Sequence, residues 1–575
     1  MIFRTGFVVA LLAGMAAYAQ PVVAAAENAA SYFMPPAPSS STPAPATPIA
    51  QGSIFVVFGT GLSAGALVQA PSFPLQTQLN GTSISVTSGG QTVSALMVYT
   101  LPTQLAAILP SSTPIGAATL TVSYNGQTSK ALNIVVTKSV PGIFTTNSQG
   151  YGPGIAQVAL TGTDIRLNNL TTPGTPGSTM ILYGTGLGPI TGSDANPPGA
   201  VDLRSSEQIS VTVGGFPATV VYAGRAPQFP GEDQINIQLP SNVPLGCYTP
   251  AVVTVNGVPS NDFELSTGSA LGSCVSPFGL SAAAEAKLDA GQTVNVGVFA
   301  AIRGAVPPIV AEGAGGLFET VTAGQLFDTY RTLLTAFDVI VYPAAVNTCV
   351  VYDALGGASS GPPIPNDFSS IGSTELQPAA SLTLSGPNGA SQGIIRASSA
   401  ANAGYLWVNI IGAASPAVLG PGTWMLSGNA GSGISAFSAT TTFPTNLTWT
   451  NMGSLLTPPR SSGVTLTWTG GGVAADPNIH IFGNATVYNP TDPSQNRGKS
   501  FSCTVPANSS PFMVPASITS QLPTPSAAGE YSEGSLGIST GGGSQFTAAT
   551  ASGQPLDGSF FGFGEAFVNS GITWK

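Results

Sequence analysis

Gly537-Ile538-Ser539-Thr540-Gly541 has the spacing of a nucleophile elbow, in which a serine stands exposed on a strand-to-helix turn. Such a serine needs an imidazole to take its proton, and in hydrolases of that type the histidine follows the serine in the chain. The single histidine here, His480, precedes Ser539. It lies in Asn478-Ile479-His480-Ile481-Phe482, whose alternation reads as a strand, so the expected place for His480 is the surface or between strands. One imidazole cannot build a histidine-rich metal site. Gly184-Thr185-Gly186-Leu187-Gly188 invites a nucleotide-loop reading, which needs a helix directly after the glycines so that amide donors meet the phosphate. Pro189, Gly192, Pro197 and Pro198 follow instead, and the sequence predicts a structural turn.

The carboxylates are dispersed. A glycosidase needs only two of them, about 5–10 Å apart. Glu312, Glu319, Asp328, Asp338, Glu530, Glu533 and Glu565 all fall in the C-terminal half, and no spacing singles out a pair. Asp476-Pro477-Asn478 and Asn489-Pro490-Thr491-Asp492 flank one strand and could offer oxygen ligands to calcium, although solvated turns are the plainer expectation. Trp407, Trp424, Trp449, Trp468, Tyr405 and Tyr488 gather in the same half. Exposed on a sheet they could stack on sugar rings; core packing is their expected role. The sequence therefore assigns no catalytic, cofactor-binding or metal-binding residue.

Four cysteines, Cys247, Cys274, Cys349 and Cys503, allow three pairings. The local pair Cys247–Cys274 is favoured, which leaves Cys349 and Cys503 to close a long loop. Disulfides suit an exported chain, and residues 1–19 read as a signal peptide. Arg4 is its positive end, Phe7 to Ala17 its apolar stretch, and Ala17-Tyr18-Ala19 its cleavage site. That apolar run is shorter than the ~20 residues of a membrane span. The expected location is secreted or cell-surface associated, with no span in the mature chain.

The elements that must position these residues are β-strands. The 575 residues include 71 Gly and 49 Pro, and only 7% are charged, against about 25% in typical soluble domains. Few helix formers and many turn formers predict short strands, in three to four domains. The net charge is −10 and the 14 Lys and Arg form no cluster, so the chain offers no footprint for nucleic acid.

One stretch occurs twice. Gly52 to Leu62, ending Phe58-Gly59-Thr60-Gly61-Leu62, returns 125 positions later as Gly177 to Leu187, ending Tyr183-Gly184-Thr185-Gly186-Leu187. Ile84 to Thr87 matches Ile209 to Thr212, Val98-Tyr99 matches Val221-Tyr222, and the hairpin signal Asn125-Gly126 matches Asn256-Gly257. Signals recurring in one order mark a domain duplication. About seven short strands per copy predict an immunoglobulin-like β-sandwich.

A strand that starts at Gly and ends in aromatic-Gly-x-Gly-Leu resembles the first core strand of the IPT/TIG immunoglobulin-like domains. The tandem copies, introduced by Asn28-Ala29-Ala30-Ser31 and closed by Val258-Pro259-Ser260-Asn261, resemble a family of exported proteins of unassigned activity best known from soil Acidobacteria. The resemblance covers about residues 28–267. It implies a fold and an exported location, and it brings no catalytic residues.

The expected organisation is all-β: a signal peptide (1–19), a Pro/Ser/Ala-rich linker (20–50), a first sandwich (51–138), a second (139–274), and a C-terminal mainly-β region (275–575). That last region is one or two further β domains, dividing near 356–378 if there are two. Within it, Thr322 and Gln325 with Leu326, Tyr330, Leu333, Leu334 and Phe337 have the spacing of one short helix. Leu447–Thr450 and Leu466–Thr469 read as adjacent strands with Trp449 and Trp468 on one face. The functional expectation is a non-catalytic binding, adhesion or structural protein, with a glycan or a cell-surface protein as partner and no cofactor. The alternative is a polysaccharide-active hydrolase with its carboxylates in the C-terminal region.

Overall fold

The computed structural model describes residues 20–32, 47–306, 316–329, 347–354, 374–375, 381–396, 405–411, 417–490, 497–525, 529–568 and 572–575, less 147, 149, 151, 262, 273, 277–279, 291, 293 and 474–475. The expected signal peptide and the segment 356–366 lie outside them.

The first sandwich packs two sheets. One runs Val22–Asn28, Ile54–Thr60, Gln104–Ile108, Leu96–Thr100, Val68–Gln69. The other runs Thr47–Ala50, Leu132–Thr137, Gly116–Tyr124, Thr82–Ser88, Gln78–Leu79, with two short strands off that path. Alternation drives the packing. Ile84 and Val86 point inward from one strand, Leu120 and Val122 from the next, and they meet Phe55, Val57 and Leu105 of the facing sheet. Asn125 and Gly126 both take positive φ, 47° and 80°, and close the hairpin that their types predict.

The expected linker over 20–50 is corrected at both of its ends. Val22–Asn28 pairs along Ile54–Thr60, and Thr47–Ala50 pairs in parallel with Leu132–Thr137. The run Val-Val-Ala-Ala-Ala-Glu-Asn carries too little side-chain contrast to announce a strand, yet Ala26 is wholly buried. Its backbone covers what would otherwise be an open edge of the sheet.

In the second sandwich the strand Phe216–Arg225 belongs to both layers. Phe216–Ala218 pair with Ile209–Val213 and Thr219–Arg225 with Asp233–Gln238, and a register shift between Val220 and Tyr222 bends the strand within the second pairing. Met180, Leu182, Val211, Ile235, Val253 and Phe263 fill the core. Asn256 and Gly257 repeat the positive-φ hairpin.

The C-terminal region is built on one sheet that serves two cores. The 19-residue strand Tyr531–Ala549 gives Leu536 and Ile538 to one core and Phe546 to the other. Val294–Val306 lies parallel to Pro555–Val568, while Phe437–Phe443 returns over Tyr531–Ala549, with Thr441 Oγ1 donating to the Gly542 carbonyl. Trp449 and Trp468 are cross-strand partners, as their spacing predicts. The short helix expected from Thr322 onward is corrected. Gly316–Thr329 is a strand, held by Val294–Val306 on one side and Tyr405–Ile411 on the other. Backbone partners on both sides outweigh a weak helical spacing in a Thr-rich stretch. Residues 330–346 lie outside the described set.

Candidate functional site

The duplicated turn is shaped by backbone contact. A Cβ on Gly59 would run into the Val22 carbonyl oxygen, and a Cβ on Gly184 into the Gly142 carbonyl oxygen. In each copy the first glycine thus lets a neighbouring strand cross closely. The second glycine takes positive φ, 65° at Gly61 and 93° at Gly186. The leucine then drops into the core, Leu62 and Leu187 both being buried. No helix follows either turn, and the Leu187 N–H is taken by Asp233 Oδ2.

The two copies differ in what surrounds them. Thr60 is exposed, whereas Thr185 is buried where the two sandwiches meet. The Thr185 hydroxyl accepts from the Ile54 N–H of the first sandwich (2.9 Å) and donates to the Gly231 carbonyl (2.7 Å). Gly231 packs so closely on Ile54 and Ile108 that a Cβ would overlap both. Asn28 Nδ2 donates to the Val140 carbonyl at 2.9 Å. The Leu75 N–H donates to the Ala195 carbonyl at 2.8 Å. The Ser111 N–H and hydroxyl reach the two oxygens of Asp194 at 2.7 and 2.8 Å.

At the centre of this joint lies a wholly buried ion pair. Arg225 Nη1 donates to Asp233 Oδ1, and Nη2 donates to the carbonyls of Gly188 (2.7 Å) and, across the joint, Gly52 (3.0 Å). Asp233 Oδ2 accepts from the Leu187 N–H at 2.8 Å. Burial pushes the Asp233 carboxyl up, and the Arg225 guanidinium with the Leu187 and Gly186 amides works against it. A buried pair needs such extra donors and acceptors to be tolerated at all. Two further carboxyls sit at the joint. Glu27 stands opposite Val56 on the sheet face that carries Ala29, Ala106 and Tyr99 and meets Phe144 of the second sandwich. Burial pushes Glu27 up to about 7. Glu232, next to Gly231, is pushed to about 7 by burial and by the neighbouring Asp233.

Sequence reading missed this constellation. The available signal was the rarity of charge: Arg225 and Asp233 are opposite charges eight positions apart in a chain that is 7% charged.

Both expected disulfides are present, Cys247–Cys274 and Cys349–Cys503. Glu285 Oε1 lies 3.4 and 3.6 Å from the sulfurs of the first. Cys247, Cys274 and Glu285 have the mutual closeness of a metal-ligand set, but the sulfurs are bonded to each other and are not thiolates. Glu285 belongs to the helix Ala282–Asp289, also unforeseen, although Ser281 before an Ala-rich run was a legible cap.

His480 and Ser539 are direct cross-strand partners, so chain order was a poor guide to their separation. Both ring nitrogens of His480 are engaged nonetheless, Nε2 with Asp476 Oδ2 at 2.6 Å and Nδ1 with Thr504 Oγ1 at 3.2 Å. Ser539 sits mid-strand rather than on an elbow. Asp476 is occupied by His480 and Asn478; burial raises its carboxyl, and those hydrogen bonds outweigh burial and leave it below the usual carboxylate range. Trp424, Trp449 and Trp468 are buried in the two C-terminal cores, and Trp407 packs partly buried against one of them. Tyr488 stacks on Tyr531, with ring centroids 5.2 Å apart.

No family model and no curated protein matches the chain. Among solved structures, domains 5–6 of the S-layer protein SbsC align with 44% of this chain and 100% of that one, at 12% identity and a TM-score of 0.17. The FN1–FN3 domains of chicken CNTN1 align with 72% and 98%, at 8% identity and a TM-score of 0.12. SGBP-B from a complex xyloglucan utilization locus in Bacteroides uniformis aligns with 65% and 80%, at 10% identity and a TM-score of 0.14. The immunoglobulin-like sandwiches are defined by their own strand order and register. Among the described residues no helix is long and apolar enough to cross a membrane.

Proposed function

We propose that the chain is an exported, non-catalytic binding, adhesion or structural protein of the cell surface or extracellular space. Its tandem sandwiches, read as IPT/TIG-like, act as a rigid spacer, and the C-terminal region from about 275 onward is the part they present. The observation that carries this reading is the Arg225–Asp233 pair reaching across to Gly52. A flexible tether between domains would not bury a charge pair at its joint, because desolvating the pair is costly unless the partners stay docked.

The engaged ring nitrogens of His480 support a non-catalytic reading, since the one imidazole is committed to Asp476 and Thr504. The sparse charge of the chain favours neutral, hydrogen-bonding partners such as a glycan or a polar protein surface. The test is a panel of glycans and cell-wall polymers incubated with the mature protein, scored for retention and for released products. Retention without products is the expected result. Released oligosaccharides would replace this reading with a polysaccharide hydrolase, and no retention on any polymer would leave a purely structural role.

A further inference from the structure

The helix Ala282–Asp289 is tied at both ends to different parts of the molecule. At its start, Ser281 caps the helix and donates through its N–H (2.8 Å) and hydroxyl (2.6 Å) to Asp557 Oδ2, on the C-terminal strand Pro555–Val568. At its end, the Asp289 carboxylate accepts from the Leu170 N–H and from the N–H and hydroxyl of Thr171, all in the second sandwich. Between the ties, Ala284 and Leu288 pack with Leu170, Cys247, Tyr248 and Cys274 of the sandwich and with Val294 beyond. The helix is the clasp between two bodies.

Glu285 sits inside that clasp. Its side chain is fully buried and faces a disulfide that has no proton to give, and Oε2 has no hydrogen-bond partner. The groups around it are Asp289 on its own helix, Tyr248, the disulfide and the Cys274 N–H on the sandwich, and Asp557 on the C-terminal strand; Lys287, two residues along the helix, faces away. Of these, Asp289 and Asp557 act on it as like charges. The Cys274 N–H supports a carboxylate there, but burial and the two like charges outweigh it, whereas a carboxylic acid is an ordinary polar group of the same shape.

We infer that this helix is a proton-held latch between the second sandwich and the C-terminal region, docked most firmly when Glu285 carries its proton. Burial, with the charges of Asp289 and Asp557, pushes Glu285 up to about 8 in the docked state. Released into water, it returns to about 4.3. The docked state therefore binds the extra proton. Docking is strongest below the released value, weakens by about tenfold per pH unit as pH rises from there, and levels off above the docked value.

The test is hydrogen exchange by mass spectrometry on the full mature chain, with no added thiol, from pH 5 to pH 9. Rates are corrected for intrinsic chemistry and compared with the core strand Thr179–Thr185. In the wild type, opening of segment 282–290 rises about tenfold per pH unit up to about pH 8 and then levels, while the reference strand stays flat. Glu285→Gln, which has the shape of the acid and cannot ionise, removes the slope and keeps the protection seen at pH 5. A wild-type helix that tracks the reference strand across the range overturns the latch, whatever the variant does. So does a slope that persists in a Glu285→Gln protein whose circular dichroism and pH 5 protection match the wild type.

Discussion

Arg225 and Gly52, 173 residues apart in the sequence, are joined by a 3.0 Å hydrogen bond from Nη2 to the carbonyl oxygen. The same guanidinium holds Asp233, so one side chain closes a charge pair within the second sandwich and pins that sandwich to the first. Replacing Arg225 with Met leaves Asp233 buried and unpaired and takes the donor from two carbonyls. A loss of about 3–5 kcal/mol is expected. Arg225→Met combined with Asp233→Leu should cost less than Arg225→Met alone, because no orphan charge remains. Chemical denaturation of the three variants checks the order.

The duplicated glycines make a sharper comparison. Gly61→Ala brings a side chain only into ordinary contact with Pro21 Cα at 3.9 Å and should cost about 1–2 kcal/mol, from positive φ alone. Gly186→Ala meets the Val140 carbonyl oxygen as well and should cost clearly more. Gly59→Ala and Gly184→Ala, each striking backbone, should rank with Gly186→Ala. Equal losses at Gly61 and Gly186 would contradict the assignment of the second turn to the joint.

Acidity should tighten the joint. Glu27 and Glu232 are raised to about 7 in the folded chain, above their unfolded value, so the folded state binds the extra protons. Stability from these groups is fully present below about pH 4.3 and is lost as pH rises toward 7. Glu27→Gln and Glu232→Gln should therefore raise the melting temperature at pH 8 and leave it nearly unchanged at pH 4.5. Asp476 has the opposite sign, being lowered, so its contribution is lost only on strong acidification. His480→Ala should shift that acid loss to higher pH.

The Cys349–Cys503 bridge closes a loop of 154 positions and ties the strand Thr348–Ala354 to Arg497–Pro506. Replacing both cysteines with serine should cost about 2–5 kcal/mol. The core that holds Trp449 and Trp468 with Cys503 should be affected, and tryptophan emission during unfolding reports on it.

What the sequence made legible was local. The Asn-Gly hairpins, the aromatic-Gly-Thr-Gly-Leu turns and the Trp449–Trp468 pair each carry their signal in a few adjacent residues. The Cys247–Cys274 pairing followed from nearness in the chain, and Cys349–Cys503 from what that pairing left. Val22–Asn28 was illegible because alanines give no contrast between faces. The strand Gly316–Thr329 was misread because its partners, 294–306 and 405–411, lie elsewhere in the sequence. The joint was hidden for the same reason. Thr60 and Thr185 are identical in motif, and only the fold exposes one and buries the other.

The proposed spacer requires the two sandwiches to move as one rigid unit. Nitroxide spin labels at Gln91 and Ser210, both exposed and one in each sandwich, allow their separation to be measured by pulsed electron resonance. A single narrow distance distribution is expected, insensitive to salt and broadened in Arg225→Met. A broad distribution in the otherwise native protein would contradict the rigid spacer.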